Sequence, residues 1–191
     1  ASAVFGVPLS AVTPELRKRA KAVNFGIVYG IGDYSLSVDL GITKKQAGEY
    51  IANYLARFHA IDSYLKDTVR MAYDHGFVET IFGRRRYIPE LKASNKMMRS
   101  FGERVAMNSP IQGSAADIIK IAMVNTRNAL AAANIDARLI LQVHDELVVE
   151  AARSCADEAA MILRREMENA VSLSVPLSVD LTVGDTWYEN K

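Results

Sequence analysis

RLILQVHDELVVE, running from Arg138 to Glu150, decides the fold class. Two runs rich in Leu, Ile and Val flank a polar pair, His144-Asp145, and that pattern reads as two antiparallel strands, Arg138–Val143 and Glu146–Glu150, joined by a tight turn. Downstream, Ala156, Ala159, Leu163, Met167 and Ala170 recur at spacings of three and four, while Asp157, Glu158, Arg164, Arg165, Glu166 and Glu168 fall between them. Such a stripe predicts an amphipathic helix covering the sheet. LSVDLTV, Leu177 to Val183, alternates strictly between apolar and polar residues and predicts a third strand.

Upstream of the hairpin the sequence reads as helical. TPELRKRAKAVNFGIVY opens with Thr13 as a cap, Pro14 at the first helical position and Glu15 in the first turn, and the helix is expected to stop at Gly30-Ile31-Gly32. Thr43-Lys44-Lys45-Gln46 has the form of a capping box, and two helices are expected from there to about Asp74. After His75-Gly76, Phe77 to Phe82 with Tyr87-Ile88 reads as a short hairpin whose turn carries Arg84, Arg85 and Arg86, a phosphate-backbone contact or a solvated turn. A helix from about Asn95 to Met107 is expected to break at Ser109-Pro110, because proline disfavours helical geometry in the residue before it. A second helix then follows, with Ile111, Ala115, Ile118 and Ala122 as a stripe buried on most sides and lying against the sheet. The order of elements gives an α+β fold, helical to about residue 93 and mixed beyond it.

Half of the 191 residues are hydrophobic and 24% are charged, a globular composition without repeats or low-complexity linkers. Lys plus Arg number 23 against 22 Asp plus Glu, so the net charge of +1 is too small to draw the whole chain onto a polyanion, and any such site is a local patch. Cys155 is the only cysteine, which excludes an internal disulfide or a paired-cysteine zinc site and fits a reducing, cytoplasmic compartment. The opening ASAVFGVPLSAV has neither a basic leader nor a long uncharged run, so neither a signal peptide nor a membrane span is expected.

Two constellations carry chemistry. Arg17, Lys21, Phe25 and Tyr29 stand four apart, and each step of four advances only about 40° around a helix, so the row shares one face over roughly 18 Å. Two cations followed by two rings suit a nucleoside triphosphate, with charge-assisted bonds to phosphate and flat surfaces for sugar and base. The competing reading makes Phe25 and Tyr29 core residues and the cations their solvated neighbours; spacing leaves both open. At the hairpin turn, Asp145 and Glu146 offer the oxygen ligands that Mg²⁺ prefers, although acids also favour ordinary turns.

Together RKRAKAVNFGIVYG, Arg17 to Gly30, and QVHDE, Gln142 to Glu146, resemble the finger-helix and palm carboxylate motifs of the family A DNA polymerases, the bacterial DNA polymerase I group. The resemblance extends over Gly76 to Pro89, over ERVAMNSPIQGSAAD (Glu103 to Asp117) and to the closing Gly184-Asp-Thr-Trp187, essentially the whole chain. It implies residues 1–93 as a fingers portion and 94–191 as the carboxyl-terminal half of the palm. It implies that Arg17 and Lys21 bind the triphosphate, with Lys21 as proton donor to pyrophosphate. Phe25 would lie along the sugar and base, and as Phe rather than Tyr would discriminate against dideoxynucleotides. Tyr29 would stack by the templating base, and Arg104, Asn108 and Gln112 would contact primer–template. Asp145 would be a metal ligand, with Glu146 beside the metal site and His144 near the primer end.

The implied reaction is attack of a primer 3′-hydroxyl on the α-phosphate of a deoxynucleoside triphosphate, assisted by two Mg²⁺ ions. The family pattern also has an aspartate on a palm strand before the finger helix, which has no counterpart in this sequence. Asp33-Tyr34-Ser35 copies the motif but follows the finger helix, in an expected loop, and reads as coincidence. The resemblance therefore implies the carboxyl-terminal portion of a larger polymerase, inert without the upstream part and able to self-associate through open sheet edges. The alternatives are a non-catalytic nucleotide- or DNA-binding module, and a metal hydrolase on His144, Asp145 and Glu146, which His59 and His75 lie too far along the chain to support.

Overall fold

The computed structural model describes residues 1–190 and divides the chain into two compact units, Ala1–Gly113 and the residues from Ser114 onward. The division falls further along than the change of class near residue 93 and inside a helix.

The first unit begins with the short helix α1 (Ser2–Phe5), then α2 (Pro14–Val28), α3 (Asp33–Leu40), α4 (Lys44–Arg57) and α5 (His59–His75). The expected caps are present. Thr13 Oγ1 accepts from the Leu16 amide at 3.2 Å, and Thr43 and Gln46 form a reciprocal capping box. Val23 and Ile27 of α2, Leu36 and Leu40 of α3, Ala47 and Tyr54 of α4, and Leu65 of α5 close one core. Each fully buried aliphatic side chain there contributes about 1.5–3 kcal/mol. Tyr54 is buried and donates its hydroxyl to Asn24 Oδ1, which ties α4 to α2; burial raises its pKa above the ordinary tyrosine value. Asp33-Tyr34-Ser35 opens α3 instead of forming a loop, because Gly32 in extended geometry precedes it and Leu36 and Leu40 are drawn into this core.

Strands β1 (Phe77–Glu79) and β2 (Arg85–Tyr87) pair antiparallel, Val78 opposite Arg86. The expected arginine-bearing turn is therefore corrected: Arg85 and Arg86 lie on a strand and only Arg84 is in the loop. Arg85 pairs with Glu79 at 2.7 Å and stacks on Phe77 at 4.4 Å, and chiefly the bond to Glu79 raises its pKa. Val78, Ile88, Leu91, Ala72 and Ala106 form a second core beneath this hairpin.

Helix α6 (Lys96–Ala133) runs unbroken through Pro110, contrary to the break expected there. Ser109 Oγ bonds the Val105 carbonyl at 2.6 Å, and packing on both sides of the proline, from Ala106 to the buried Ala122, Thr126 and Leu130, outweighs the roughly 3 kcal/mol that an interior proline costs. The buried line also differs from the expected stripe: Ile111 and Ala115 are exposed, while Ser114, Ala122, Thr126 and Leu130 are buried. Gly102 lies where a short 3₁₀ turn (Pro89–Lys92) crosses α6, and a Cβ there would come within 3.1 Å of both the Leu91 amide nitrogen and its Cδ2. Backbone cannot move aside as a flexible side chain can. Gly102→Ala is expected to lose about 1–2 kcal/mol despite alanine's better helix propensity, read as a lowered thermal midpoint.

In the second unit β3 (Ala137–Val143) and β4 (Glu146–Ala151) form the expected hairpin, and α7 (Ala156–Glu168) packs on β4. Leu130, Ala159 and Ile162 make its core with Val149 and Ala151. Between Leu139 and Leu141 the ladder shifts by one residue, a β-bulge at Ile140. The third strand is corrected. Residues 177–183 keep alternating half-buried and exposed positions as far as Leu181, but form no ladder. Strand geometry persists only with a neighbouring strand's hydrogen bonds, and here the Val179 amide is taken by the Glu168 carboxylate at 3.1 Å. Among the described residues no helix is long and apolar enough to cross a membrane.

Candidate nucleotide and primer–template site

The buried face of α2 is Ala20, Val23 and Ile27, and that choice turns the Arg17, Lys21, Phe25, Tyr29 row outward. Phe25 is 45% exposed and Tyr29 41%, so the reading that makes them core residues fails. Their rings lie nearly parallel, 6.2 Å apart with 21° between planes, and the Lys21 ammonium sits 5.7 Å above the Phe25 ring. Cation and aromatic surface are thus adjacent on one open helix face.

The helix ends in a Schellman motif: Ile31 donates to the Gly26 carbonyl at 2.7 Å and Gly30 to the Ile27 carbonyl at 2.9 Å. Gly30 has a φ of 71°, and a Cβ on it would lie 2.3 Å from Met107 Cε and 3.0 Å from Arg104 Cγ. Glycine here both permits the left-handed turn and lets α6 approach. The chain reversal builds a cleft of about 570 Å³, lined by Phe25 and Gly26 of α2, Tyr29 at its C-cap, Ile31, Ser35 and Asp39 near or on α3, and Arg104 of α6. The sequence pattern signals the α3 wall only weakly, through Asp33, an acid in the first turn of a segment with Leu36 and Leu40 at helical spacing.

On α6, Arg104, Asn108 and Gln112 are four apart and share a face. Arg104 and Gln112 are exposed, and Arg104 lies 6.0 Å over the Phe101 ring. Asn108 Oδ1 is buried with no hydrogen-bond donor among the described residues. An unpaired buried acceptor costs about 1–3 kcal/mol, which a ligand's N–H or O–H would remove. Beside this row Tyr73 donates to Glu103 at 2.9 Å, and that bond is the main reason its pKa is raised.

In the second unit, His144 and Asp145 form the two-residue connection between β3 and β4, with Val143 opposite Glu146. His144 takes a φ of 53°, and Gln142 Nε2 donates to its carbonyl at 2.5 Å, bracing the turn. His144, Asp145 and Glu146 are all exposed. The two carboxylates are hard oxygen donors of the type Mg²⁺ takes, so Asp145 fits a metal ligand. Among the described residues no three His, Cys, Asp or Glu side chains converge to complete a site.

The family model for DNA polymerase family A matches residues 1–189. The chain belongs to DNA polymerase family A. It is 52% identical over 191 residues to a DNA polymerase I of Caldicellulosiruptor bescii and 51% identical over 188 residues to the DNA polymerase I of Bacillus subtilis. It covers 22% and 21% of the lengths of those relatives. Among solved structures it is similar to the POL domain of Pol1 from M. smegmatis in complex with DNA primer-template and dNTP, at a TM-score of 0.88 and 45% identity, covering 93% of this chain and 31% of that one. Family A membership and the α+β fold thus follow from relatives and structure alike.

Proposed function

We propose that this chain forms part of a template-directed DNA polymerase and supplies the pocket for the incoming deoxynucleotide together with one metal-binding turn. The observation that carries this reading is the outward row on α2, two cations and then two near-parallel rings, in a family A chain whose structural neighbour holds primer–template and dNTP. Arg17 and Lys21 bind triphosphate oxygens, and Phe25 lies along the sugar and base. Tyr29, at the mouth of the cleft, stacks beside the templating base. Arg104, Asn108 and Gln112 hold primer–template, the buried Asn108 oxygen accepting from it.

In the reaction the primer 3′-hydroxyl loses its proton to solvent and its oxygen bonds to the α-phosphorus as the bond from that phosphorus to the pyrophosphate oxygen breaks, and Lys21 gives a proton to the departing pyrophosphate. Two Mg²⁺ ions, when bound, neutralise charge on the phosphates, and Asp145 contributes one oxygen ligand with Glu146 beside it. His144 lies near the primer end. The chain taken by itself binds without extending a primer, since one turn with two carboxylates leaves the metal site incomplete among the described residues. Primer extension with this 191-residue chain, Mg²⁺ and all four dNTPs is expected to give no product.

Arg17→Ala in the full-length polymerase tests the pocket. A charge-assisted bond to phosphate is worth about 1.5–3 kcal/mol, so the KM for dNTP should rise by roughly tenfold or more while the primer–template Kd stays within about twofold. An unchanged KM would remove Arg17 from the triphosphate site.

A further inference from the structure

The loop between β1 and β2 is built around Thr80. Its Oγ1 accepts from the Phe82 amide at 3.3 Å and the Arg84 amide at 3.2 Å, and its own amide donates to the Arg84 carbonyl at 3.0 Å. Gly83, at a φ of 78°, closes the loop by donating to the Thr80 carbonyl at 2.9 Å. The loop is therefore preorganised, and it meets α6 at Gly113: Arg84 Nη2 donates to the Gly113 carbonyl at 3.0 Å, and a Cβ on Gly113 would come within 2.7 Å of Thr80 Cγ2. The base of the same hairpin is fixed to the same helix, because Val78 and Ile88 share a core with Ala106.

Ala106 and Gly113 are two turns apart, and Pro110 lies between them. Proline presents no amide to the Ala106 carbonyl, so the helix loses an internal bond where it must hold Asn108 on one side and Gln112 on the other. Attachment at both ends is what a splint requires. We infer that the β1–β2 hairpin, through Arg84 on the Gly113 carbonyl, splints α6 across Pro110, making Arg84 a positioning residue for Gln112 and its contact with primer–template. This rests on the proposed role of the Arg104, Asn108, Gln112 row, and it gives Arg84 a task apart from a backbone phosphate contact.

The test is a double-mutant cycle in the full-length polymerase, read as the Kd for a primer–template duplex by fluorescence anisotropy. Arg84→Ala is expected to weaken binding about three- to tenfold, Arg84→Lys to recover part of the loss by keeping a cation in reach, and the KM for dNTP to stay within about twofold. In a Gln112→Ala background Arg84→Ala should add little, because the residue it positions is gone. Gly113→Val, which pushes Thr80 away without touching a charge, should reproduce the Arg84→Ala loss. Fully additive losses, or no loss from Arg84→Ala where Gln112→Ala alone weakens binding, overturn the splint. An unchanged Kd in both Gln112→Ala and Arg104→Ala overturns the site reading and the splint with it.

Discussion

Asp145→Ala in the full-length polymerase is expected to reduce primer extension by about three orders of magnitude or more while primer–template binding changes little. A metal ion that stabilises charge in the transition state is worth several kcal/mol, and each 1.4 kcal/mol is about tenfold in rate, so loss of a ligand falls almost wholly on the chemical step. Single-turnover extension against Mg²⁺ concentration separates the cases. A defect partly relieved by excess Mg²⁺ identifies a ligand, whereas a normal rate removes Asp145 from the metal site. The exposure of Asp145 at a braced two-residue turn makes the variant a clean one, since exposed substitutions of this kind shift stability by about 0.5 kcal/mol or less. Glu146→Ala should lose less, as the neighbour and not the ligand.

The second large effect is expected at Gly30, and Gly41 provides its control. Both are left-handed, with φ of 71° and 63°, and both follow a helix. A Cβ at Gly41 meets nothing within 4 Å, whereas one at Gly30 falls 2.3 Å from Met107 Cε and 3.0 Å from Arg104 Cγ. Each alanine substitution therefore incurs about 1–2 kcal/mol of left-handed strain, but only Gly30→Ala also displaces α6 side chains from the cleft. Hydrogen exchange should quicken at the Gly30 and Ile31 amides in Gly30→Ala and at Gly41 and Ile42 in Gly41→Ala. Extension by the full-length polymerase should slow by about 10²-fold in the first alone, in line with the sensitivity of such sites to ångström-scale misplacement. Equal rates in the two variants would show that the approach of Arg104 to the cleft is immaterial.

Much of this was legible in the sequence where local chemistry decides local structure. Thr13, Pro14, Thr43 and Gln46 mark helix starts through hydrogen bonds that span three residues, and His144-Asp145 marks a turn between two β-rich runs. The four-residue row on α2 was equally visible, but which way it faced was not: that depended on Val23 and Ile27 finding partners in Leu36, Leu40 and Tyr54, contacts distant in sequence. Pro110 misled for the same reason. Its local preference is to break a helix, and long-range packing of Ala106 and the hairpin overrode it. The alternation over 177–183 encodes a strand's faces without its partner, so the pattern survives and the ladder does not. The docking of Arg84 on Gly113 had no sequence signal beyond a glycine inside a helix.

The bulge at Ile140 carries a consequence for how the carboxylate turn is aimed. Leu139 stands opposite Val149, on the side of the sheet that joins the core, yet Leu141 stands opposite Val148 and is 41% exposed, although two residues of an unbroken strand would share a side. The extra residue thus inverts the parity of β3 partway along, and everything from Leu141 to the turn is written in the opposite phase from Ala137 to Leu139. Removing Ile140 would leave Leu139 opposite Val149 and Leu141 opposite Val148 in a regular ladder, so Leu141, and Gln142, which braces the turn, would keep their sides, and β3 would lose only the local bend and added twist that the bulge gives it. What Ile140 contributes to the presentation of Asp145, five positions downstream, is therefore the angle at which β3 reaches the turn and not the side on which its residues lie.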